Sequence, residues 1–384
     1  MTLRDIFGPA SYSDSDVDKL VYSRDASDLE GEALAIVWPK TSKQLHELVN
    51  YSKRHDYNLV IRGAGTNMQG NCVPVKSVVV DMSKMNKVLE IGDDYVVVEA
   101  GAVLDEVNAL LGDKRVPVNV VNYKVCTIGG MVAMNCLSTD ASDGRIGDYI
   151  EKMEVVDGTG KYLKLGHPTV KNFIGLEGTT GIITKIHLKT VPIKKFRSFS
   201  IYKFVTLSSM MERVEKFRAK SEVKSIQFFD ELSSTMLGLD AQNHMVVEFE
   251  GDIGVMKTPE EVQSIVGMKE SLYHKLKKER YGQFEDVRIN PDKMAGFLHW
   301  LRKKDVPVFG NLCHETVFPC FKEFSKLPQE MHELVMTLKG DSAVEYGYGL
   351  KRKKFLQGEK KVKYKILKDQ YNPKEILNRG KVHE

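Results

Sequence analysis

The sequence predicts an α+β fold, and three observations carry the prediction. A strand–helix–strand order begins at Ala33. Residues 150–164 and 182–191 alternate with period two, as hairpin strands do. After Pro192 the order strand, helix, strand recurs. Within this frame residues 1–30 are polar and read as irregular. The run ALAIVWP from Ala33 to Pro39 is apolar and stops at a proline, as a buried strand does. Thr41 or Ser42 caps a helix that carries Leu45, Leu48 and Val49 at helical spacing. Tyr57–Ile61 is the next strand. Residues 78–82 and 95–100 add short strands, and Leu104–Leu111 a helix. Beyond Pro192 the expected elements are a strand at Phe199–Val205, a helix at Ser208–Ala219 and a strand at His244–Phe249. Residues 258–283 have the Lys and Glu spacing of a solvated helix. Met294–Lys303 reads as a helix and Val306–Phe309 as a strand.

Composition limits the function classes. The chain has 384 residues, enough for two or so domains, with 42% apolar and 28% charged residues. A net charge of +4 does not imply nucleic-acid binding. No apolar run nears the length of a membrane span. The N-terminus MTLRDIFGPASYSDSD has no apolar stretch of secretory type. Five cysteines without a CxxC argue against a disulfide scaffold or an iron–sulfur cluster within this chain, and reduced thiols in the cytoplasm are expected. The last fifty residues are basic and include KRKKFLQGEKKVKYKILK. Such a run reads as a solvated face, with attraction of an anionic substrate or partner as the functional alternative.

Chemistry is signalled by three glycine-rich turns, each against an apolar segment. The first is Arg62-Gly63-Ala64-Gly65-Thr66-Asn67, directly after a strand. Successive backbone N–H groups on such a turn form a concave anion site, and glycine permits the positive φ and close approach that it needs. The expected guest is a phosphate or pyrophosphate. The turn lacks the Lys-Ser/Thr ending of a P-loop, and no helix follows it as a dinucleotide fingerprint requires. The second turn is Thr127-Ile128-Gly129-Gly130, leading into Met131–Asn135. The third, Gly175 to Gly181, runs into Ile182 and Ile183. Together they suit an elongated ligand with a phosphate in its middle.

The order and wording of these segments resemble FAD-linked oxidoreductases of the vanillyl-alcohol oxidase and p-cresol methylhydroxylase (PCMH-type) superfamily. The likeness is strongest to the glycolate oxidase flavin subunit, D-lactate dehydrogenase and D-2-hydroxyglutarate dehydrogenase. The words that carry it are RGAGTNMQG, VVVDMSKMNKVLEI, TIGGMVAMN, DYIEKMEVVDGTG and FIGLEGTTGIITKIHLK, then IQFFDE, VVEFEGD, DVPVFGNLCH, EYGYGLKRKKFL and YNPKEILNRGK. The resemblance implies a lead at 1–29 and, over 30–193, a PCMH-type FAD-binding domain of two α/β subdomains. A ferredoxin-like α+β substrate (cap) domain over 194–335 and a C-terminal segment, 336–384, returning to the flavin complete it. It also implies that FAD is held without a covalent bond. Arg62 to Asn67 would wrap the pyrophosphate. Thr127, Ile128, Gly129, Gly130 and Asn135 would pass along the flavin and diphosphate. Gly178, Thr179, Gly181, Ile182 and Ile183 would support the ring and the adenine-linked side. Asn378 would sit where the C-terminus returns, with Arg379 in place of the family's proline.

The implied reaction moves a hydride from Cα of a small D-2-hydroxy acid, lactate- or glycolate-like, to the flavin, with electrons passed to a separate acceptor. At the substrate side the chain departs from its relatives. Asn311 and Phe318 stand at the positions of two metal-binding histidines, and Tyr346 replaces the histidine base, while Glu345 is kept. His314, Glu345 and Tyr346 are the catalytic candidates. Glu345 with Glu315 or His314 offers oxygen and imidazole ligands, which leaves a divalent metal undecided. Arg280 and Arg288 are the candidates for carboxylate recognition, because a guanidinium fork matches a carboxylate. Two other readings stay open: a flavin-carrying or non-catalytic subunit of a glycolate oxidase-like complex, and a non-redox flavoenzyme like the alkyl-dihydroxyacetone-phosphate synthases. An iron–sulfur or other acceptor protein is the partner the resemblance suggests, and attachment to a membrane would run through it.

Overall fold

The computed structural model describes residues 2–193 and 197–382. It divides into two compact units. One comprises Met1–Ser138, Gly144–Ile193 and Glu345–Glu384, the other Thr139–Asp143 and Lys194–Val344.

The first unit opens with helix α1 (Leu3–Phe7), whose first turn is capped by the Thr2 side chain. Leu3, Ile6 and Phe7 are buried in the unit's core, so the polar lead is partly a packed helix rather than irregular chain. The single apolar stripe of one short turn is too brief to register as a period in the sequence. Strand β1 (Tyr12–Ser13) and helix α2 (Asp16–Val21) follow. Strands β2 (Glu32–Val37), β3 (Asn58–Arg62) and β4 (Val75–Asp81) form a sheet in the order β1-β2-β4-β3. β4 runs parallel to both its neighbours. Helix α3 (Ser42–His55) makes the crossover, with Thr41 as its cap and Leu45, Leu48 and Val49 fully buried. This is the expected β-α-β unit, and it delivers the first glycine turn at the end of β3.

A second sheet is antiparallel. It contains β5 (Val88–Ile91), β6 (Tyr95–Glu99), β8 (Ile150–Asp157), β9 (Tyr162–Gly166) and β10 (Gly181–Lys189), in the order β5-β6-β10-β8-β9. Two short strands, β7 (Lys114–Arg115) and β11 (Val191–Pro192), pair with each other. Helix α4 (Leu104–Leu110) precedes β7, and helix α5 (Ile128–Met134) lies between β7 and β8. The second glycine turn is therefore the start of a helix, with Thr127 Oγ1 accepting from the Gly130 N–H.

The second unit is a mixed sheet-and-helix body. Its antiparallel sheet contains β12 (Arg197–Phe204), β13 (Val223–Phe229), β14 (Asn243–Glu250), β15 (Tyr281–Phe284), β17 (Val308–Asn311) and β18 (Thr316–Lys322). The short β16 (Val287–Arg288) pairs with β18. Helices α6 (Leu207–Arg218), α7 (Glu231–Leu237), α8 (Pro259–Lys278), α9 (Pro291–Arg302) and α10 (Leu327–Thr337) complete it. Its core includes Phe228, Val247, Phe297, Leu301, Phe321 and Met331. The chain then returns to the first unit, where helix α11 (Gly358–Tyr371) lies.

All five cysteines are unpaired thiols, and burial pushes Cys126 and Cys313 up to about 12. Among the described residues no helix is long and apolar enough to cross a membrane.

Candidate functional site

The first unit gathers its three glycine segments around one place. Gly65 sits at φ +70°, and a Cβ added there would collide with the Arg62 guanidinium. Arg62 is itself held by the Arg24 carbonyl, 2.7 Å away, and by the face of Tyr22. Gly63 has no room for a side chain either, because its Cβ would run into Thr127 Oγ1. That close approach joins the first turn to the second. Gly129 is equally confined, since a methyl carbon on it would stand 2.6 Å from Ala100 Cβ.

The third turn joins through the returning C-terminus. Asn378 is buried, and its amide donates to the Glu177 carbonyl at 2.7 Å while its oxygen accepts from Ile61 N–H at 3.4 Å. Its side chain is thus spent on stapling the strand before the first turn to the third turn. Thr179 is buried and bonded to the Leu176 carbonyl, and Asn372 donates to the Thr179 carbonyl. Gly181, Ile182 and Ile183 enter β10, where they pack in the interior. Asn135 ends α5 at φ +51° and ties down the 145–147 turn through Gly147 N–H and the Arg145 guanidinium.

Glu345 to Gly349 lies on these turns. Asn67 Nδ2 donates to the Tyr346 carbonyl at 3.0 Å, while Asn67 Oδ1 accepts from Gln69 and Asn71 N–H. The Glu177 carboxylate accepts from Tyr348 N–H and Gly349 N–H, each at 3.0 Å, and burial pushes its pKa up. Glu177 had no place among the sequence candidates. Its signal was a lone acid inside a glycine-rich apolar turn. Lys381 was also missed: it is fully buried, donates to the Asn71 carbonyl, and burial lowers its pKa to about 8.

The fit to a dinucleotide rests on donors. Among the described residues, none of the five backbone N–H groups from Gly63 to Asn67 has a protein acceptor. Consecutive donors on a turn whose Gly63 and Gly65 leave no room for a Cβ suit a pyrophosphate. The residues present therefore fit the phosphate-bearing middle of FAD.

The remaining candidates lie in the second unit. His314 stands in the turn between β17 and β18, its N–H on the Asn311 carbonyl. Glu315, in the same turn, pairs with Arg218 at 2.7 Å. Asn311 is buried and bonded through its side chain to Thr139 and Cys313, and Phe318 stacks on Phe309 with centroids 5.1 Å apart. Both residues at the family's histidine positions thus serve packing. Among the described residues no three His, Cys, Asp or Glu side chains form a metal-binding group. Arg280 is an exposed residue at φ +60° after α8. Arg288 lies in β16, where its Nε is buried with no acceptor among the described residues.

The free donors of the first turn suit a dinucleotide, and comparison with known proteins supports FAD as that dinucleotide. Residues 33–166 match the family model of the FAD binding domain. Glycolate oxidase subunit GlcD of Bacillus subtilis is 27% identical over 75% of this chain, which spans 60% of that relative's length. D-lactate dehydrogenase of Archaeoglobus fulgidus is 22% identical over 98% of this chain and 97% of its own length. D-2-hydroxyglutarate dehydrogenase of Stutzerimonas stutzeri is 22% identical over 91% and 90%. A solved alkyldihydroxyacetonephosphate synthase has the same fold, with a TM-score of 0.74 at 17% identity over 98% of this chain and 83% of its own. The chain is an FAD-binding oxidoreductase related to these hydroxy-acid dehydrogenases and oxidases.

Proposed function

We propose that the chain oxidises a small D-2-hydroxy acid, lactate- or glycolate-like, to the 2-oxo acid and passes the electrons to a separate acceptor. Bound FAD supplies the two-electron acceptor for the substrate Cα hydrogen. The protein's part is binding, orientation and proton handling. The donors of Gly63–Asn67 hold the pyrophosphate. Arg288, with Arg280 the candidate for the substrate carboxylate, has a buried Nε–H with no acceptor among the described residues. Tyr346, with Glu345 beside it, takes the hydroxyl proton, and His314 is the alternative base.

One observation carries this reading: the Glu345–Gly349 segment is pinned to the FAD-binding turns by Asn67 and Glu177. The packing roles of Asn311 and Phe318 favour a second reading, a flavin-carrying subunit without catalysis of its own. Anaerobic mixing of the FAD-loaded protein with D-lactate, glycolate and D-2-hydroxyglutarate separates the two. Bleaching of the flavin band by any of them supports the oxidation. A flavin-loaded protein that none of them bleaches supports the second reading instead.

A further inference from the structure

The C-terminal return buries a cation and gives it no ion partner. Lys381 lies in the first unit with no exposed surface. Its ammonium donates to the Asn71 carbonyl, and among the described residues it forms no ion pair. Two acids bear on its charge, Asp25 and Glu177, and both are engaged by backbone. Asp25 accepts from Ser27 N–H at 2.9 Å and Cys72 N–H at 3.0 Å. Glu177 accepts from Tyr348 N–H and Gly349 N–H. The Cys72 thiol also faces Lys381, but burial pushes its pKa up, so it brings no charge at neutral pH. A second cation, Arg62, acts on Lys381 by repulsion. Arg62 opens the first glycine turn and is held by the Arg24 carbonyl and the Tyr22 face. Among the described residues it too forms no ion pair.

An ammonium taken from water without a countercharge is destabilising, and a neutral side chain of similar length would avoid the penalty. The location of Lys381 gives the charge a use. Asn71, whose carbonyl it holds, donates its own N–H to Asn67 Oδ1 at 3.1 Å. Asn67 closes the turn whose backbone donors have no protein acceptor among the described residues. Two unneutralised cations and a row of free N–H groups therefore meet at one turn. All of them lack an anion. In a buried setting a charge acts beyond hydrogen-bond reach, so the ammonium need not touch the anion to hold it.

We propose, on the reading of this turn as the diphosphate site, that Lys381 is a cofactor-binding residue. Its buried ammonium, together with the Arg62 guanidinium, is the resident countercharge of the FAD diphosphate.

The test dilutes the FAD-loaded full chain in steps and reads released FAD by its fluorescence. Lys381→Met is expected to weaken FAD binding by about tenfold or more. After the flavin is stripped, the same variant should unfold at higher urea than the stripped wild type, because a buried charge is gone. A residue that merely packs would lower both, and that result overturns the assignment. So does wild-type FAD affinity in Lys381→Met. The wild type supplies a second measurement. Its FAD affinity should be full below about pH 8, where Lys381 of the free chain is charged, and fall by about tenfold towards pH 10. Lys381→Met should lack that fall, and a fall of equal size in both proteins overturns the assignment. Gly65→Val tests the turn separately. Loss of FAD by Gly65→Val with full retention by Lys381→Met keeps the turn and removes the countercharge. Full retention by Gly65→Val removes both.

Discussion

Lys381 has a cost that pH can relieve. Its ammonium is fully buried, and burial lowers its pKa from 10.5 to about 8. Between those values the unfolded chain holds more protons than the native one, so this residue makes stability rise with pH across that window. The gap corresponds to about 3 kcal/mol. Below about pH 8 the charged form stays buried at full cost. Lys381→Met is expected to gain on the wild type most at neutral pH, and the advantage shrinks by about 3 kcal/mol as pH approaches 10.5. Urea unfolding of both proteins along a pH series measures it; a constant difference would refute the assignment. Arg288 makes a different prediction. If its buried Nε serves the substrate carboxylate, Arg288→Ala raises KM by about 100-fold while FAD affinity is retained. Steady-state kinetics with a flavin titration checks this, and an unchanged KM removes Arg288 from the site.

The C-terminal segment acts as an element held at two points. Glu177 accepts two of its backbone N–H groups, and Asn378 reaches from its far end to Ile61 and Glu177. Asn378→Ala strands a buried carbonyl and N–H, which costs about 1–3 kcal/mol. FAD affinity should fall with it, because the same bonds join the first and third turns; full retention of FAD in a destabilised variant would confine Asn378 to packing. Glu177→Gln is milder. Its folded pKa is raised, so the wild-type contribution is fully present below about 4.5 and is lost as pH rises through the folded value. The Gln variant is therefore expected to gain on the wild type as pH rises above 4.5, by melting temperature. Neither role was legible locally. The Asn of Asn-Arg-Gly-Lys marks a tight turn in the sequence, but its partners lie 317 and 201 residues away. The strand at β3 and the α3 cap were legible, because apolar runs and capping residues act over a few positions.

For the molecule as a whole the decisive property is that the cradle belongs to the native state. FAD that binds only the folded chain stabilises it by mass action, about 3 kcal/mol at a hundredfold excess over Kd. Stripping the flavin should lower the melting temperature and adding it back should restore it, with the yellow colour passing a dialysis membrane after denaturation. Colour retained by the denatured chain would show a covalent link. The distribution of charge also emerges only here. The basic run reads in sequence as one solvated face, yet Arg352, Lys368 and Lys381 are buried, while Lys360, Lys361, Lys363 and Lys365 are exposed on α11. A charge count cannot tell these apart, since burial depends on which helix face meets the core.

The amino-acid order alone marked the β-α-β unit, several of the longer strands and helices, and the cofactor. Periodicity, caps and glycine turns are local, and a phosphate cradle is made of backbone donors on one short turn. The tertiary structure decided which side chains remain for chemistry. It gave Asn311 and Phe318 to packing and Asn378 and Glu177 to stapling, and the Arg288 Nε–H has no acceptor among the described residues. Those outcomes depend on partners distant in sequence, and hydrogen bonding of buried groups is a property of the assembled interior.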